Sequence, residues 1–268
     1  MTLPDQSSLT NQHTEEQKKY RLFDSHFHII DPRFPVVPNQ GYLPAAFTIE
    51  DYRARTAPFD VIGGAVVSGS FQAFDQSYLV EALKQLGPGF VGVTQLPATV
   101  LDEQIVELDA AGVRAIRFNL YRGGSEHLDH LEEMARRVFD LAGWHVEFYI
   151  DSRNLPELED RLIALPKVSF DHLGLSKEGF PALLRLVERG AYVKATGFGR
   201  TDLDIPTALR AICAINPSAL HFGTDLPSTR VARPFADSEV VLVVDTLGEQ
   251  VGRQVLYENA LALYKPAR

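Results

Sequence analysis

Residues 23–35 read FDSHFHIIDPRFP and place three polar side chains, Asp24, His26 and His28, at alternate positions. Alternate side chains of a β-strand point to the same face, so this segment predicts a strand with one face of imidazole and carboxylate. Two imidazoles at this spacing can bind a divalent cation through ring nitrogens. They can equally present hydrogen-bond donors to a carbonyl or an oxyanion. The spacing alone leaves both kinds of chemistry open.

Two more polar residues follow predicted strands further along the chain. His172 lies in SFDHLG, between a strand and a turn, and Asp225 lies in HFGTDLPSTR at the end of the last predicted strand. A carboxylate at a strand end can cap the next helix, but one that faces the same opening as three histidines suits a general base for water. We therefore predict a catalytic group made of His26, His28, His172 and Asp225.

Eight short apolar or alternating segments must position these residues. They lie at 22–30, 61–69, 90–97, 113–121, 145–150, 168–174, 191–197 and 219–225. Helical patterns fill the intervals, and several stop at a glycine such as Gly87 or Gly143, a common helix end. This alternation predicts a single (β/α)8 TIM barrel rather than a doubly wound open sheet. Polar residues gather at the C-terminal strand ends, where such barrels carry their active sites.

The amino-acid composition indicates which kinds of binding partner and which cellular compartment to expect. The 268 residues carry a formal net charge of −9, which argues against nucleic acid because phosphate binding needs a basic surface. The single cysteine, Cys213, allows no intramolecular disulfide, so we expect a cytoplasmic protein, and no apolar run is long enough for a membrane helix. We expect a flexible polar tail at residues 1–20 and the barrel at residues 21–268, in a monomer or a homo-oligomer.

A group of cationic and phenolic side chains falls at or just after the predicted strand ends. Its members are Arg117, Arg122, Lys194, Arg200, Arg230 and Tyr149, with Tyr42 in the long loop after the first strand. A guanidinium binds a carboxylate through two parallel hydrogen bonds. Cations gathered on one rim of an acidic protein therefore predict a small anionic substrate.

The motifs FDSHFHIIDPRFP, FDHLG and GTDLPSTR, in this order along a barrel, resemble those of the amidohydrolase superfamily, and in particular its amidohydrolase-2 branch. GVRAIRFNLYRGG, GWHVEFY and YENALALY fit the same branch, so the resemblance covers residues 21–265. The branch includes lactonases that act on carboxylated lactones such as 2-pyrone-4,6-dicarboxylate. The resemblance implies a hydrolase in which the three histidines polarise the scissile carbonyl and Asp225 deprotonates water. The matching candidates for binding substrate carboxylates are Arg117, Arg122, Arg200 and Tyr149.

The resemblance implies an enzyme that needs no metal, although many members of the superfamily hold zinc or manganese on the same residues. The bridging ligand of binuclear members is missing, because the fourth strand offers Arg117 and Asn119. We expect His145, at the start of the fifth strand, and His221 to be structural. One alternative function is a metal-dependent decarboxylase with one zinc or manganese ion on His26, His28, His172 and Asp225. Another is a non-catalytic metabolite-binding barrel. For a lactonase, the expected substrate is 2-pyrone-4,6-dicarboxylate-like or a sugar-acid lactone.

Overall fold

The computed structural model describes residues 19–267, and its central feature is a sheet of eight parallel strands hydrogen-bonded in chain order. The strands are β1 (Arg21–Phe27), β2 (Asp60–Val67), β3 (Phe90–Thr94), β4 (Val113–Asn119), β5 (His145–Tyr149), β6 (Val168–Phe170), β7 (Tyr192–Ala195) and β8 (Leu220–Phe222). Each of the eight predicted strand segments overlaps one of them, and six contain the whole strand; β1 and β2 begin one residue before the predicted segments.

Nine α-helices within residues 19–267 alternate with these strands. They are α1 (Ile49–Thr56), α2 (Ser77–Leu86), α3 (Asp102–Ala110), α4 (Leu131–Ala142), α5 (Glu159–Ile163), α6 (Phe180–Glu188), α7 (Ile205–Ile215), α8 (Ser238–Arg253) and α9 (Asn259–Tyr264). As predicted, α2 and α4 end at glycines with left-handed backbone: φ is +97° at Gly87 and +69° at Gly143. None of the helices in this range has the length and hydropathy that a membrane crossing needs.

The barrel closes between its last and first strands. The backbone N–H of Asp225 donates to the carbonyl of His26 at 2.7 Å, and that of His28 donates to the carbonyl of Leu226 at 2.8 Å. Asp24 strengthens the same seam, because it accepts hydrogen bonds from both the backbone N–H and the hydroxyl of Thr224. The predicted TIM barrel is therefore confirmed.

One expectation about β1 is wrong. Asp24 does not share a face with His26 and His28, because the pairing of β1 with β2 shifts register between Asp24 and Phe27. The carboxylate instead accepts a hydrogen bond from the hydroxyl of Tyr52, on helix α1 outside the barrel. The shift leaves the two histidines on the side of the catalytic group and makes Asp24 part of the wall.

The core has two parts. Between strands and helices lies the larger apolar cluster, while a smaller one fills the barrel around Phe23, Val91 and Ala115. Leu263 and Tyr264 of α9 belong to the smaller cluster, so the C-terminal helix covers one end of the barrel. The predicted tail lies outside the described residues except for Lys19 and Tyr20, and its boundary stays a prediction.

Candidate active site

An open cavity of about 370 Å³ lies at the C-terminal ends of the strands. Eight of the ten predicted site residues line it: His28, His172, Asp225, Arg117, Arg122, Tyr149, Arg200 and Arg230. His26 lies beneath its surface and is fully buried, while Tyr42 packs behind Arg230. Sequence reasoning did not assign Ser70, Phe71 and Thr229 to this cavity, which they also line. Ser70 and Phe71 follow β2 and Thr229 follows β8, and no pattern in the sequence marks them as part of a site.

The four residues of the predicted catalytic group lie together. The ring of His26 is centred 5.2 Å from that of His28 and 4.9 Å from that of His172. Its Nε2 lies 3.8 Å from Asp225 Oδ1. Strand β1 and the segments directly after β1, β6 and β8 thus deliver three imidazoles and one carboxylate to the base of the same cavity.

Asp225 has one occupied and one free carboxylate oxygen. Its Oδ2 accepts a hydrogen bond from Arg200 Nε at 2.6 Å, whereas its buried Oδ1 has no hydrogen-bond partner within residues 19–267. The residue has φ of +61°, and His172 has φ of +53°. Left-handed backbone at non-glycine residues costs about 1–2 kcal/mol each, and such strain clusters at functional sites. The loops after β6 and β8 therefore hold these two side chains in place at an energetic cost.

His28 has a fixed hydrogen position. Its Nδ1 lies 2.7 Å from the carbonyl oxygen of Val67, which can only accept, so Nδ1 carries the hydrogen. Burial, together with the charges of neighbouring groups, holds the pKa of His28 well below its usual value, so the ring is neutral. Nε2 is then a lone pair. A ring in this state has an acceptor on Nε2, and the predicted contact of His28 with the carbonyl stays a prediction.

His172 has a free ring nitrogen. Its Nδ1 is buried without a hydrogen-bond partner in the described range, and the ring packs edge-on against Tyr149 with centroids 4.9 Å apart. Burial holds the pKa of His172 well below its usual value as well. Gly197 makes room for it, because a Cβ there would lie 2.6 Å from Nδ1. A neutral imidazole can turn either a hydrogen or a lone pair toward a substrate.

A buried charge network lies directly under the catalytic group. Arg117 donates from Nη2 to Asp171 Oδ2 at 2.7 Å and from Nη1 to the carbonyl of Ser68 at 2.8 Å. Lys194 is not a rim cation as expected: it is fully buried and forms an ion pair with Glu147. Burial alone would raise the pKa of Asp171, but Lys194, His26 and Arg117 outweigh it and hold that pKa well below its usual value. The carboxylate is therefore ionised.

The lower end of this network is structural. His145 Nε2 lies 3.1 Å from Glu147 Oε1, which also accepts a hydrogen bond from the hydroxyl of Tyr264. His221 Nε2 lies 3.3 Å from the hydroxyl of Ser169. Both histidines are buried inside the barrel and neither lines the cavity, in agreement with the structural roles expected for them.

Two cations at the cavity have no carboxylate partner. Within the described chain, Arg122 and Arg230 form no ion pair: Arg122 lies over the ring of Tyr121 and Arg230 over that of Tyr42, at 4.7 Å and 4.4 Å. Arg230 also donates to the carbonyl of Asn39. Burial and the neighbouring charge of Arg122 lower the pKa of Arg230. An anion bound between them would relieve this repulsion.

The spacing of the catalytic group suits one cation, but its hydrogen bonds do not. Ligand atoms of His26, His28 and Asp225 lie within 4.8 Å of one another. However, a metal-ligating histidine donates its other ring N–H to an acceptor, and here the ammonium of Lys194 lies 3.3 Å from His26 Nδ1 and competes with Asp171 Oδ1, the acceptor at the same distance. Arg200 occupies one oxygen of Asp225, and four arginines line the cavity against a single carboxylate. The residues present do not fit a resident divalent cation.

Comparison with known proteins gives the class of the molecule. Residues 23–265 match the model of an amidohydrolase family, Amidohydro_2. The chain belongs to this family, which confirms the resemblance seen in its motifs, and it is an enzyme.

Individual relatives cover most of the chain at modest identity. It is 27% identical to a 2-pyrone-4,6-dicarboxylate hydrolase of Comamonas testosteroni, over 91% of this chain and 90% of the relative. It is 26% identical to a D-galactarolactone isomerase of Agrobacterium fabrum, over 90% of each protein. A 4-sulfomuconolactone hydrolase of Hydrogenophaga intermedia is 24% identical, over 90% of this chain and 88% of the relative. A ligand-free crystal structure from Agrobacterium tumefaciens superimposes with a TM-score of 0.81 at 25% identity, covering 92% of this chain and 96% of that one.

Proposed function

We propose that this protein is a hydrolase that opens a carboxylated lactone by attack of water on the ring carbonyl, with Asp225 as the general base. The observation that carries the proposal is the free, buried Oδ1 of Asp225, next to two neutral histidines at the base of an arginine-lined cavity. Two relatives support the proposal by name, as hydrolases of a pyrone dicarboxylate and of a muconolactone, and a third is named an isomerase of a sugar-acid lactone.

The chemical steps follow from the hydrogen-bonding capacity of each group. Asp225 Oδ1 takes a proton from a water molecule as the water oxygen bonds to the carbonyl carbon. His28 Nε2, a lone pair, accepts the second hydrogen of that water and orients it. The C–O bond of the ring then breaks, and Asp225 returns the proton to the leaving oxygen. The product is an open-chain acid in which the leaving oxygen has become a hydroxyl group, or an enol where the substrate is a pyrone.

His172 and Tyr149 are the donors proposed for the carbonyl oxygen. Both line the cavity, and burial raises the pKa of Tyr149, which keeps its hydroxyl protonated. A donor aimed at an oxyanion in a site of this kind contributes about 3–4 kcal/mol to transition-state stabilisation. The role implied for His26 changes, because this ring lies beneath the cavity surface and faces Asp225 rather than open space.

The arginines divide into two groups with different proposed roles. Arg117 and Arg200 are held by Asp171 and Asp225, so they fix acidic groups of the site. Arg122 and Arg230 lack such partners in the described range and are the proposed seat for a substrate carboxylate, with Tyr42 behind Arg230. The substrate proposed is therefore anionic: a 2-pyrone-4,6-dicarboxylate-like or sugar-acid lactone.

Turnover measurements test the proposal. The protein, treated with chelator and desalted, is offered sugar-acid lactones and aromatic-derived dicarboxylate lactones, with and without zinc or manganese. We expect hydrolysis of a carboxylated lactone without added metal. Activity only with metal, and carbon dioxide release in place of ring opening, would instead support the metal-dependent decarboxylase.

Substitutions test the carboxylate seat separately. Arg122→Gln and Arg230→Gln are each expected to raise the KM for a carboxylated lactone about tenfold or more, because a charge-assisted hydrogen bond contributes about 1.5–3 kcal/mol. They should leave the KM for the methyl ester of the same lactone almost unchanged. Arg136→Gln, at an exposed position on α4, is the matched control. A KM for the acid that stays at the wild-type level in Arg122→Gln and Arg230→Gln, as in the control, would exclude the seat.

A further inference from the structure

The partner of His26 Nδ1 decides which chemistry the paired histidines can perform. We propose that Lys194 is a positioning residue that fixes the ring hydrogen of His26 on Nε2, and so makes this a hydrogen-bond donor site instead of a divalent-cation site. Lys194 touches neither the cavity nor any predicted substrate position. It acts on His26 directly, and it also lies 3.4 Å from Asp171 Oδ1 beneath the cavity.

The contact between Lys194 and His26 determines which nitrogen of the ring accepts a hydrogen bond. Lys194 Nζ lies 3.3 Å from His26 Nδ1, and both side chains are fully buried. The counter-charge is Glu147, which forms an ion pair with the ammonium and secures it in the interior. An ammonium has hydrogens and no lone pair, so it can only donate. Nδ1 must then be the acceptor, and the hydrogen of the neutral ring lies on Nε2.

Asp171 competes with Lys194 for Nδ1 of His26. Asp171 Oδ1 lies 3.3 Å from the same Nδ1, and as a carboxylate it would favour the opposite tautomer. The Lys194 contact has hydrogen-bond geometry, whereas Asp171 Oδ1 has no hydrogen-bond partner within residues 19–267. Arg117 holds the other oxygen of Asp171 through two of its nitrogens and so restrains the carboxylate. Lys194 is the partner that the geometry selects.

The opposite edge of the His26 ring lies next to Asp225. His26 Nε2 faces Asp225 Oδ1 at 3.8 Å, and neither atom has a hydrogen-bond partner in the part of the chain described. An N–H turned toward a carboxylate oxygen attracts it, but a lone pair in the same place would repel it unless a cation lay between them. A histidine that ligates a metal turns its lone pair to the ion and donates its other N–H to an acceptor. On that side of His26, this chain places an ammonium donor next to the Asp171 carboxylate.

The catalytic group therefore has two possible states, which differ in whether Lys194 or Asp171 is the partner of His26 Nδ1. With Lys194 on Nδ1, His26 presents Nε2–H to Asp225 and restrains its free oxygen without a metal. With Asp171 on Nδ1, His26 would present a lone pair, and the same set would suit zinc or manganese. Only the catalytic use of this restraint depends on the proposed function; the tautomer and the cation affinity do not.

Nitrogen-15 NMR of the histidine rings in the metal-free, substrate-free protein tests the tautomer directly. The His26 signals are assigned by their loss in His26→Gln. We expect a protonated Nε2 and an unprotonated Nδ1 at neutral pH. A protonated Nδ1 in the wild-type protein would overturn the proposal, whatever the enzyme activity proves to be.

A charge-balanced variant tests the role of Lys194 itself. Lys194→Met combined with Glu147→Gln removes the ammonium and its counter-charge together, and Glu147→Gln alone is the matched control. In the double variant we expect the hydrogen to move to Nδ1, toward Asp171. Calorimetric titration with zinc or manganese should then show binding about 10–100-fold tighter than in the control.

An unchanged tautomer and unchanged cation affinity in a folded double variant would overturn the role of Lys194. Circular dichroism identifies a variant that does not fold, and in that case the wild-type tautomer decides. Neither measurement uses a substrate, so failure of the lactonase proposal would be seen separately, as absence of turnover with His26 still protonated on Nε2.

Discussion

Two buried aspartates on the seam between β8 and β1 have opposite surroundings. Asp24 accepts hydrogen bonds from the backbone N–H and hydroxyl of Thr224, at 2.8 and 2.7 Å, and from the hydroxyl of Tyr52 at 3.1 Å. Asp225 follows Thr224 in the chain, yet it has one partner, Arg200, and a bare Oδ1 at the cavity. The buried carboxylate with a complete set of donors, Asp24, is part of the barrel wall. One with a free oxygen beside open space is available for chemistry.

The two ends of the barrel differ in the same way, because the buried carboxylate in the interior is hydrogen-bonded and several buried polar groups at the rim are not. Glu147, in the interior, accepts from Lys194 and Tyr264 and contacts His145, while burial opposed by the charge of Lys194 leaves its pKa at about 2. At the rim, the buried ring nitrogens of His26 and His172 that face the catalytic group lack partners in the described range. Buried polar atoms are usually satisfied, so a cluster of unsatisfied ones beside a cavity indicates that a substrate or water completes the set.

The rim side of the comparison predicts the largest effect. Asp225→Asn should lower kcat for the lactone about 10³-fold, because the amide cannot take a proton from water. The amide also removes the counter-charge of the buried Arg200, so kcat is compared for the folded fraction of each protein. Stopped-flow measurements give kcat, and calorimetric titration gives the affinity for the lactone, which the variant should keep. A variant that keeps more than a tenth of the wild-type kcat would remove Asp225 from the role of base.

The seam side predicts a loss of stability in place of a loss of rate. Asp24→Ala leaves the donors of Thr224 and Tyr52 without their acceptor in a buried site, which should lower the free energy of unfolding by about 3 kcal/mol. Urea denaturation measures this loss. The kcat of the folded fraction should stay within a few-fold of wild type; a drop as deep as that of Asp225→Asn would erase the distinction between the two aspartates.

Local patterns were enough to predict the barrel and the residues at the cavity. Strand periodicity and glycine stops depend on neighbours in the chain, so all eight strands could be read directly. His28, His172 and Asp225 could be placed because each follows or ends a strand, and parallel strands end at the same side of a barrel. The register shift after Asp24 could not be read, because it depends on how β1 pairs with β2.

Pairing across the barrel was the part that the sequence could not give. Arg117 and Asp171 are 54 residues apart, and Lys194 and Glu147 are 47 apart. No local pattern links such residues, so Arg117 was expected to bind substrate and Lys194 to lie at the rim. Arg117 lines the cavity but also holds Asp171, so substrate binding by Arg117 stays a prediction, whereas Lys194 is an interior charge.

Gly197 offers a test of how tightly the rim is built. A Cβ at this position would lie 2.6 Å from His172 Nδ1 and 3.2 Å from Asp225 Oδ2. Gly197→Ala should therefore displace both groups and lower kcat/KM about 100-fold. Gly190→Ala is the control, because its backbone is also left-handed, at φ of +96°, but a Cβ there meets nothing within 4 Å. It should cost about 1 kcal/mol of stability and leave the rate unchanged. Equal rates in the two variants would mean that the site tolerates displacement.

Glu239 tests whether a free carboxylate oxygen marks chemistry when it lies outside the cavity. This residue in the first turn of α8 is 4% exposed, and its Oε1 has no hydrogen-bond partner in the described chain; Arg233 Nη1 lies 3.9 Å away. Burial raises the pKa of Glu239 from 4.5 to about 7, although Arg233 opposes the shift. The folded state therefore holds a proton that the unfolded state releases. Stability from this group is full below pH 4.5 and is lost as the pH rises through 7.

Between pH 5 and pH 8 the loss from Glu239 should be about 2 kcal/mol, the smallest of the expected effects. Glu239→Gln cannot ionise, so its stability relative to the wild type should increase by that amount across the range, as measured by urea denaturation at each pH. Its kcat should equal that of the wild type, because Glu239 does not line the cavity. A large drop in kcat with an unchanged pH dependence of stability would show that a free buried carboxylate can serve the reaction without facing the substrate.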